Sequence, residues 1–594
     1  MWSDSAISEE DKLNRTQTQA VLRRSLRMAK PFRRSVAAVF LFVMVSVICT
    51  LAGPLLVRYG IDSGIRKNNS RTLNIAVGGY ACVALLSYVV SRGQIISVNI
   101  AGEGFLRLLR LRVFDKIQKQ SMSFFDREKA GVLVSRMTAD IESMAELVQW
   151  GLLGFMAAFL LLVLALVLLF ALSWQLTLVA LLVLPILVIA SVKFQRDSNK
   201  AYLEIREKVG SNLSALQEGI TGVRVIQAYA REGEQIRRFE ESNQDLFRSH
   251  MHSVRVTTWY FGLVEFSGIA ASALMVGIGG WLVHRQDVSL GTVVAFVLLL
   301  ANLFDPVQQL SQLYNTLQSA TAALHKLFTI IDAVPDVGEA PAPIELPRDG
   351  DLVVDSVTFT YEAGTRPALQ DVSITVTAGQ RLALVGPTGA GKSTLAKLMA
   401  RLYDPDIGIV TFGGVDLRQA SFVSLRDRIV VIPQEGFLFD GTIRENLLIA
   451  KPNATDAQII EALTNLQLLE RFEAFPEGLN TEVQERGTRL SAGERQLVAL
   501  SRAALIDPAV LVLDEATSNL DPGTEHDIER ALEKLMQGRT VVVVAHRLST
   551  VRRADRIAVV SDAQVTEFGT HDELISLGGH YSVLAATWAQ SQPQ

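Results

Sequence analysis

The sequence has only two cysteines among its 594 residues, Cys49 and Cys82, and both lie inside apolar runs. Neither a disulfide framework nor a cysteine metal site is therefore expected. The chain also lacks an excess of charge of one sign, because 57 basic and 61 acidic residues leave a formal net charge of −4. That balance gives no indication of a nucleic-acid partner. Glu9, Glu10 and Asp11 precede the first apolar run, which argues against a cleavable signal peptide.

Charged residues are scarce over long stretches of the first half, although they make up 20% of the chain. Six apolar runs are predicted to cross a membrane, and most reach the roughly 20 residues that a ~30 Å hydrocarbon layer requires. One such run would also suit a buried helix of a soluble protein, but six with almost no amphipathic period do not. Glu265 lies in the fifth run and is expected to face the interior of the membrane domain, as a structural hydrogen-bond partner or a substrate contact. The predicted spans are Val36–Val57, Thr72–Ser91, Gly151–Ser173, Leu176–Val192, Trp259–Val283 and a last one that begins near Val288.

Basic residues are concentrated on one side of these spans. They precede the first span and fill the two long connections, while the first outer loop, with Arg66, Lys67 and Arg71, is a mild exception. The positive-inside rule therefore predicts a multi-pass protein with both termini in the cytoplasm. The long connections are charged and helix-rich, with breaks at Ser123–Asp126 and Glu218–Gly222. Each break predicts either a short transverse helix or a polar turn, and spacing leaves both open.

A glycine-rich segment marks the second half. Residues Gly386 to Ser393 read G-x-x-x-x-G-K-[ST], between the strand-like run Leu382–Val385 and the helix-forming run Ser393–Met399. The glycines let the backbone wrap around an anion, and the following helix directs its positive end at the same charge. Lys392 is placed to neutralise the outer phosphates and the Ser393 hydroxyl to bind Mg²⁺, whereas a chance turn fits this context poorly. The residues predicted to bind the nucleotide here are Gly386, Pro387, Thr388, Gly389, Ala390, Gly391, Lys392, Ser393 and Thr394.

The rest of the second half has the composition of a soluble α/β domain. Residues 334–349 contain four prolines and predict a linker, which divides the chain into a transmembrane domain over 1–333 and a nucleotide-binding domain over 350–594. Apolar, β-branched runs predict buried parallel strands in the second domain. These runs are Ile429–Ile432, Val510–Leu513 and Val541–Val544.

Polar residues follow these predicted strands. Asp514 ends one strand and is placed to hold Mg²⁺, and Glu515 is placed to accept a proton from an attacking water. Gln434 would sense the metal and the water, and His546 would contact the γ-phosphate. Tyr361 is placed to stack on an adenine, although a strand aromatic packed in a core fits the local evidence equally well.

One further segment, Leu490 to Glu494, reads Leu-Ser-Ala-Gly-Glu and resembles the Leu-Ser-Gly-Gly-Gln signature of the ATP-binding cassette (ABC) transporter family. The order of all motifs also resembles that family. It runs through Tyr361 as A-loop, Gly386–Thr394 as Walker A, Gln434 as Q-loop, the signature, Asp514 and Glu515 as Walker B, Ser518–Asp521 as D-loop and His546 as switch.

The resemblance implies a half-transporter of the type IV exporter fold, with a six-helix transmembrane domain followed by an α/β P-loop ABC ATPase domain. It implies a dimer that binds ATP and Mg²⁺ and moves a hydrophobic or amphipathic substrate (drug, lipid or peptide) across the plasma (inner) membrane by alternating access. The two cytoplasmic breaks would be coupling helices, the second engaging the ATPase domain of the partner chain. The residues that the family pattern implies are Glu515, His546 and Gln434 for catalysis, Ser393, Gln434 and Asp514 around the metal, and Ser491, Gly493 and Glu494 at the nucleotide of the other chain.

Three departures from the family pattern stand out. The signature has Ala492 and Glu494, the D-loop has Asn519, and Gln484 replaces the usual glycine of the X-loop. An intact Walker set with an altered, more negative signature favours one half of an asymmetric heterodimer. A homodimer with two equal sites is the alternative.

Rival functions share part of these motifs. The six spans argue against a soluble ABC ATPase of repair or translation, and the intact Glu515 and His546 argue against a regulated channel. An importer built on the same fold stays open, because these residues do not encode transport direction. Nothing in the spans selects a drug over a lipid or a peptide.

Overall fold

Long helices build the first half of the chain in the computed structural model. The structure describes residues 15–361, 364, 366–434, 436–514, 522–545 and 547–591. Uncharged apolar runs form helices because a helix satisfies its own backbone hydrogen bonds, as a hydrocarbon environment requires. Short π-helical turns at Arg136–Asp140 and Leu147–Gly151 join the pieces of one long helix. The helices are α1 (Arg15–Met28), α2 (Arg33–Tyr59), α3 (Ser70–Gln118), α4 (Met122–Arg127), α5 (Ala130–Ser135), α6 (Ile141–Glu146), α7 (Leu152–Leu172), α8 (Trp174–Thr221), α9 (Val223–Ala228), α10 (Glu232–His284) and α11 (Leu290–Asp332).

Among the described residues, five helices are long and apolar enough to cross a membrane, and a shorter apolar stretch covers Leu290–Leu300 at the start of α11. Helices α3, α8 and α10 contain 49, 48 and 53 residues. At a rise of about 1.5 Å per residue each is longer than ~70 Å, twice the thickness of a hydrocarbon layer. This length carries the helices beyond the predicted spans into the charged, helix-rich connections. The five candidate spans are Lys30–Ile65, Ser70–Gln118, Ala130–Leu172, Trp174–Thr221 and Glu232–His284.

Short helices lie at the first predicted cytoplasmic break and directly after the second. Helix α4 covers the break at Ser123–Asp126, and α9 begins at Val223, directly after the break at Glu218–Gly222. Each has 6 residues. A short helix, and not a polar turn, therefore forms at the first break. At the second break, Glu218–Thr221 are the last residues of α8, and the short helix follows them. The transverse orientation of the short helices stays a prediction.

An apolar core joins α2, α7, α8, α10 and α11 in the first half, and Met275 is among its fully buried side chains. The long helices α8 and α10 are also paired by a buried hydrogen bond of 2.8 Å between the hydroxyls of Ser191 and Tyr260. Phe194 stacks on the Tyr260 ring, with the ring centroids 4.1 Å apart. Glu265, also on α10, is exposed in the single chain, so its position inside the membrane domain stays a prediction.

The second half alternates strands and helices, as the apolar β-branched runs predict. The strands are β1 (Leu352–Phe359), β2 (Leu369–Val376), β3 (Arg381–Val385), β4 (Ile407–Phe412), β5 (Val415–Asp416), β6 (Ile429–Ile432), β7 (Val510–Asp514), β8 (Thr540–Val544), β9 (Arg556–Ser561) and β10 (Gln564–Gly569). The helices are α12 (Lys392–Met399), α13 (Phe422–Arg428), α14 (Ile443–Leu448), α15 (Asp456–Asn465), α16 (Leu469–Glu473), α17 (Ala492–Ile506), α18 (Pro522–Met536), α19 (Leu548–Arg552), α20 (His571–Leu577) and α21 (His580–Ser591).

The main sheet has six strands in the order β10-β9-β3-β8-β7-β6. Its neighbours from β9 to β6 are parallel, and only β10 is antiparallel to its neighbour. Strands β2, β1, β4 and β5 form a separate antiparallel sheet. In the main sheet, Leu384 pairs with Val544, which also pairs with Asp514. The carboxyl ends of β3, β8, β7 and β6 therefore meet at one edge, where ligands bind in open α/β sheets.

The chain divides into two compact units. The first contains the residues up to Gln118 and Ala130–Ala333, and the second contains Lys119–Lys129 and the chain from Val334 onward. The second unit thus includes α4, which the sequence places inside the transmembrane domain. The boundaries at 334–349 stay a prediction.

Candidate functional site

The glycine-rich loop connects β3 to α12 at the carboxyl edge of the main sheet. Gly386 has φ +144° and Gly391 has φ +110°, both in the range that favours glycine. A Cβ on Gly386 would lie 2.0 Å from the carbonyl oxygen of Val560, so only glycine fits there. The buried Lys392 donates from Nζ to the carbonyl oxygens of Gly386 and Pro387, at 2.9 Å each. Pro387, Thr388 and Gly389 are exposed, whereas Ala390 and Thr394 are buried.

Ser393 and Asp514 are brought together although 121 positions separate them. The Ser393 hydroxyl, on the first turn of α12, donates to Asp514 Oδ1 at 3.4 Å, and Asp514 is the last residue of β7. Both side chains offer oxygen ligands, which Mg²⁺ prefers, and this ion usually completes its shell with water and substrate phosphates. The described residues contain no cluster of three or more His, Cys, Asp or Glu that would form an all-protein metal cage. The oxygen pair therefore fits a magnesium ion shared with a nucleotide.

Tyr361 lies just after β1 and is half-buried. Its hydroxyl is 3.1 Å from Thr394 Oγ1 on the first turn of α12. Its ring packs edge-on against Phe359, with centroids 4.9 Å apart. The structure therefore places Tyr361 beside the phosphate loop, and it also packs against a core aromatic, as the alternative interpretation expects.

The remaining predicted residues of the hydrolytic centre follow β6, β7 and β8. Gln434 is exposed two residues beyond the end of β6. Glu515, His546 and the D-loop Ser518–Asp521 lie outside the described residues. Their roles stay predictions.

The signature segment forms the start of α17. Ser491 is the N-cap, and its Oγ accepts a hydrogen bond from the Glu494 N–H at 3.2 Å. Glu494 Oε2 accepts in return from the Ser491 N–H at 2.9 Å, which completes a capping box. Arg471 Nη2, on α16, donates to Glu494 Oε1 at 3.2 Å. A Cβ on the buried Gly493 would lie 2.1 Å from Thr524 Cγ2, so this glycine lets α17 approach α18 closely.

The predicted X-loop departure at Gln484 coincides with an unusual backbone conformation. Gln484 has φ 59° and ψ 178°, a combination that is essentially restricted to glycine. Two residues later, Arg486 also has a positive φ, of 55°. The preceding Val483 is fully buried in the core and holds the loop in place. The chain therefore carries a strained glutamine where a glycine would adopt the same conformation without a steric penalty.

Replacement of Gln484 by glycine is expected to stabilise the protein. Relief of the strain should contribute about 1–3 kcal/mol, against a loss of roughly 0.5–1 kcal/mol through the greater freedom of glycine in the unfolded chain. The melting temperature of the purified protein should rise by a few degrees. Gln537→Gly, at an exposed position that lacks a positive φ, is the matched control and should not raise it. If Gln484→Gly melts at or below the melting temperature of the wild type, the backbone at Gln484 is not strained.

Sequence reasoning missed Tyr403, which is 4% exposed and links two parts of the second unit. Its hydroxyl donates to Asp126 of α4, and its ring lies edge-on to that of Tyr361, with centroids 5.5 Å apart. Burial, reinforced by the hydrogen bond to Asp126, raises the pKa of Tyr403 well above its usual range, so the hydroxyl remains a donor at physiological pH. No motif or periodicity marks Tyr403, because 277 positions separate it from Asp126.

Comparison with known families identifies the chain. Residues 36–307 match the model of the ABC transporter transmembrane region, and residues 369–518 match the ABC transporter model. The chain belongs to the ABC transporter family. Its membrane region and ATPase domain make it a half-transporter of the type IV exporter fold, as the motifs predict. This ABC transporter is accordingly a multi-pass membrane protein whose second domain binds ATP.

Individual relatives support the same assignment. The ABC transporter is 35% identical over 580 residues to YknV of Bacillus subtilis, an uncharacterized ABC transporter ATP-binding protein, across 97% of this chain and 96% of that protein. It is 33% identical over 566 residues to an ATP-dependent lipid A-core flippase of Syntrophus aciditrophicus, across 95% and 94% of the two chains. A solved structure of a bacterial Atm1-family ABC exporter with ATP bound matches with a TM-score of 0.78 at 26% identity, across 95% of this chain and 99% of that one.

Proposed function

We propose that this ABC transporter works as a dimer that hydrolyses ATP to move a hydrophobic or amphipathic substrate, such as a drug, a lipid or a peptide, across the plasma (inner) membrane. The observation that carries the proposal is the phosphate cradle, in which Gly386, Lys392, Ser393 and Asp514 converge at one sheet edge in a chain with membrane-spanning helices. The similarity to a lipid A-core flippase supports an amphipathic substrate. Both termini would lie in the cytoplasm, by the distribution of basic residues.

The phosphate loop would hold ATP through its backbone N–H groups and the N-terminus of α12. Lys392 would exchange its hydrogen bonds with the carbonyl oxygens of Gly386 and Pro387 for the outer phosphates. Ser393 and Asp514 would hold Mg²⁺, which neutralises charge on the phosphates when bound. Tyr361 would exchange its contact with Thr394 for the adenine.

Hydrolysis requires a positioned water beside the γ-phosphate. Glu515, one residue past Asp514, would accept a proton from that water, and Gln434 and His546 would orient the water and the phosphate. In the second site of the dimer, Ser491, Gly493 and Glu494 would close over the ATP that the other chain holds. Alternate opening of the membrane domains would then follow from ATP binding and hydrolysis.

An exposed apolar surface at helix α9 supports the proposal of a dimer. Val223 and Val225 on α9, and Ile220 and Tyr229 beside it, are exposed in the single chain. Exposed apolar clusters of this kind mark protein interaction sites. By the family pattern, this surface would engage the ATPase domain of the second chain, as the resemblance predicts for the second coupling helix.

The second chain is either a different half-transporter or a copy of the same one. The preference for a heterodimer rests on the altered signature residues Ala492 and Glu494. The pairing of Glu494 with Arg471 removes part of that basis, because the added negative charge is balanced at close range. The heterodimer therefore rests mainly on Ala492, and the choice stays a prediction.

The test begins with the chain expressed without a partner and reconstituted in lipid nanodiscs. We expect a dimer whose ATPase activity rises with a transported lipid or drug, and ATP-driven accumulation of that compound in inside-out vesicles. Extrusion from those vesicles instead would support the importer alternative, and substrate movement without turnover would support a channel. A marked increase in activity on co-expression with a second half-transporter would support the heterodimer. The heterodimer would be excluded if the chain alone has full ATPase activity, and if neither a second half-transporter nor a restored Leu-Ser-Gly-Gly-Gln signature changes that activity.

A further inference from the structure

The signature of this chain carries a carboxylate at a place where its negative charge would oppose the binding of a phosphate. Glu494 is the third residue of α17, whose N-terminus is formed by the exposed Ser491 and Ala492. Under the proposed function, this N-terminus closes over the γ-phosphate of the ATP that the other chain holds. The helix N-terminus attracts that phosphate. An uncompensated carboxylate one turn away would repel it.

The structure shows how the carboxylate is balanced. One oxygen of Glu494 accepts from the Ser491 N–H at 2.9 Å, and the other accepts from Arg471 Nη2 at 3.2 Å. The Glu494 side chain is 19% exposed and that of Arg471 is 43% exposed. Both oxygens are thus engaged by donors of the same chain. A neutral glutamine at this position would form the same capping box without a need for Arg471.

We propose that Arg471 is a positioning residue that keeps the altered signature competent for ATP. It cancels the charge of Glu494 and holds the carboxylate against the N–H of Ser491. The inference rests on the proposed function. It names the residue that lets a signature containing glutamate close over ATP. Ion pairs this exposed contribute little to stability, so the effect of Arg471 should appear in the response to ATP rather than in the fold.

The test is a double-mutant cycle in the full chain, assembled in nanodiscs in the dimer in which it is active. The variants are Arg471→Met, Glu494→Gln and the double variant, with ATPase rate measured against ATP concentration. Arg471→Met should raise the KM for ATP about tenfold, because the exposed charge of Glu494 opposes closure over the phosphates. Glu494→Gln removes the charge that Arg471 balances, so Arg471→Met should have no further effect in that background, and the KM of the double variant should match that of Glu494→Gln, whatever its value. The tenfold rise in the KM of Arg471→Met should become smaller at high ionic strength, because salt screens the charge of Glu494.

A control and a second readout separate this role from a structural one. Arg530→Met removes a partly exposed arginine that pairs with Asp527 on α18, and it should leave the KM unchanged. Melting temperatures of all variants should agree within about 2 °C. The inference would be overturned if Arg471→Met has the KM of the wild type, or if it raises the KM equally in the Glu494→Gln background. Either result would leave the proposed function intact. A wild-type chain without ATPase activity in any dimer would overturn both.

Discussion

Replacement of Glu515 by glutamine is expected to abolish most turnover while ATP binding is retained. The change removes the proton acceptor beside the attacking water but leaves the phosphate loop and the Ser393–Asp514 oxygen pair in place. The steady-state ATPase rate should fall by a factor of about ten or more, which corresponds to about 1.4 kcal/mol or more in the activation barrier. Because ATP stays bound, the closed dimer should accumulate, and this is measurable by cross-linking or by retention of labelled ATP.

The control for this prediction is Glu529→Gln, which neutralises an exposed acid on α18 outside the nucleotide site. Its ATPase rate should equal that of the wild type. A rate for Glu515→Gln within about twofold of the wild type would show that another group accepts the proton.

Replacement of Gly386 by alanine is expected to eliminate ATP binding and to destabilise the ATPase domain. The new Cβ would lie 2.0 Å from the Val560 carbonyl oxygen, and the backbone at φ +144° disfavours any side chain. Strain and overlap together should cost about 3 kcal/mol or more. A fluorescent ATP analogue should show no saturable binding, and the melting temperature of the full chain should fall.

Gly379→Ala is the matched control, since this glycine also has a positive φ, of +78°, but a Cβ there would have no heavy atom within 4 Å. This variant isolates the strain of the left-handed backbone from steric overlap. It should lose some stability and keep normal ATP binding. Normal ATP affinity in Gly386→Ala would instead show that the loop can move away from β9 without losing its shape.

Local patterns were sufficient to predict several parts of this protein. The loop between β3 and α12 is recognisable because strand, glycine spacing and helix lie within a few residues of one another. The membrane helices are recognisable for a similar reason, since a hydrocarbon layer demands a continuous apolar run. The glycine-like backbone at Gln484 also agrees with a departure visible in the sequence.

Other features depend on residues that are far apart in the chain. The sequence predicts that Ser393 and Asp514 share a metal, but only the strand order β3-β8-β7 brings their oxygens within 3.4 Å. Likewise, α4 is predicted as a break in the membrane domain, whereas its Asp126 accepts a hydrogen bond from Tyr403 in the second unit.

The sequence by itself determined the family and the nucleotide, because motif spacing is a local property. It predicts six membrane spans, and the described residues contain five helices long and apolar enough to cross a membrane and one shorter apolar stretch. The tertiary structure decided how the unusual signature is balanced. Glu494 reads in the sequence as an added negative charge, and its partner Arg471 lies 23 positions earlier on a different helix. No periodicity relates the two residues. Their pairing arises only because the fold brings Arg471 of α16 to the N-terminus of α17, where its guanidinium contacts the carboxylate.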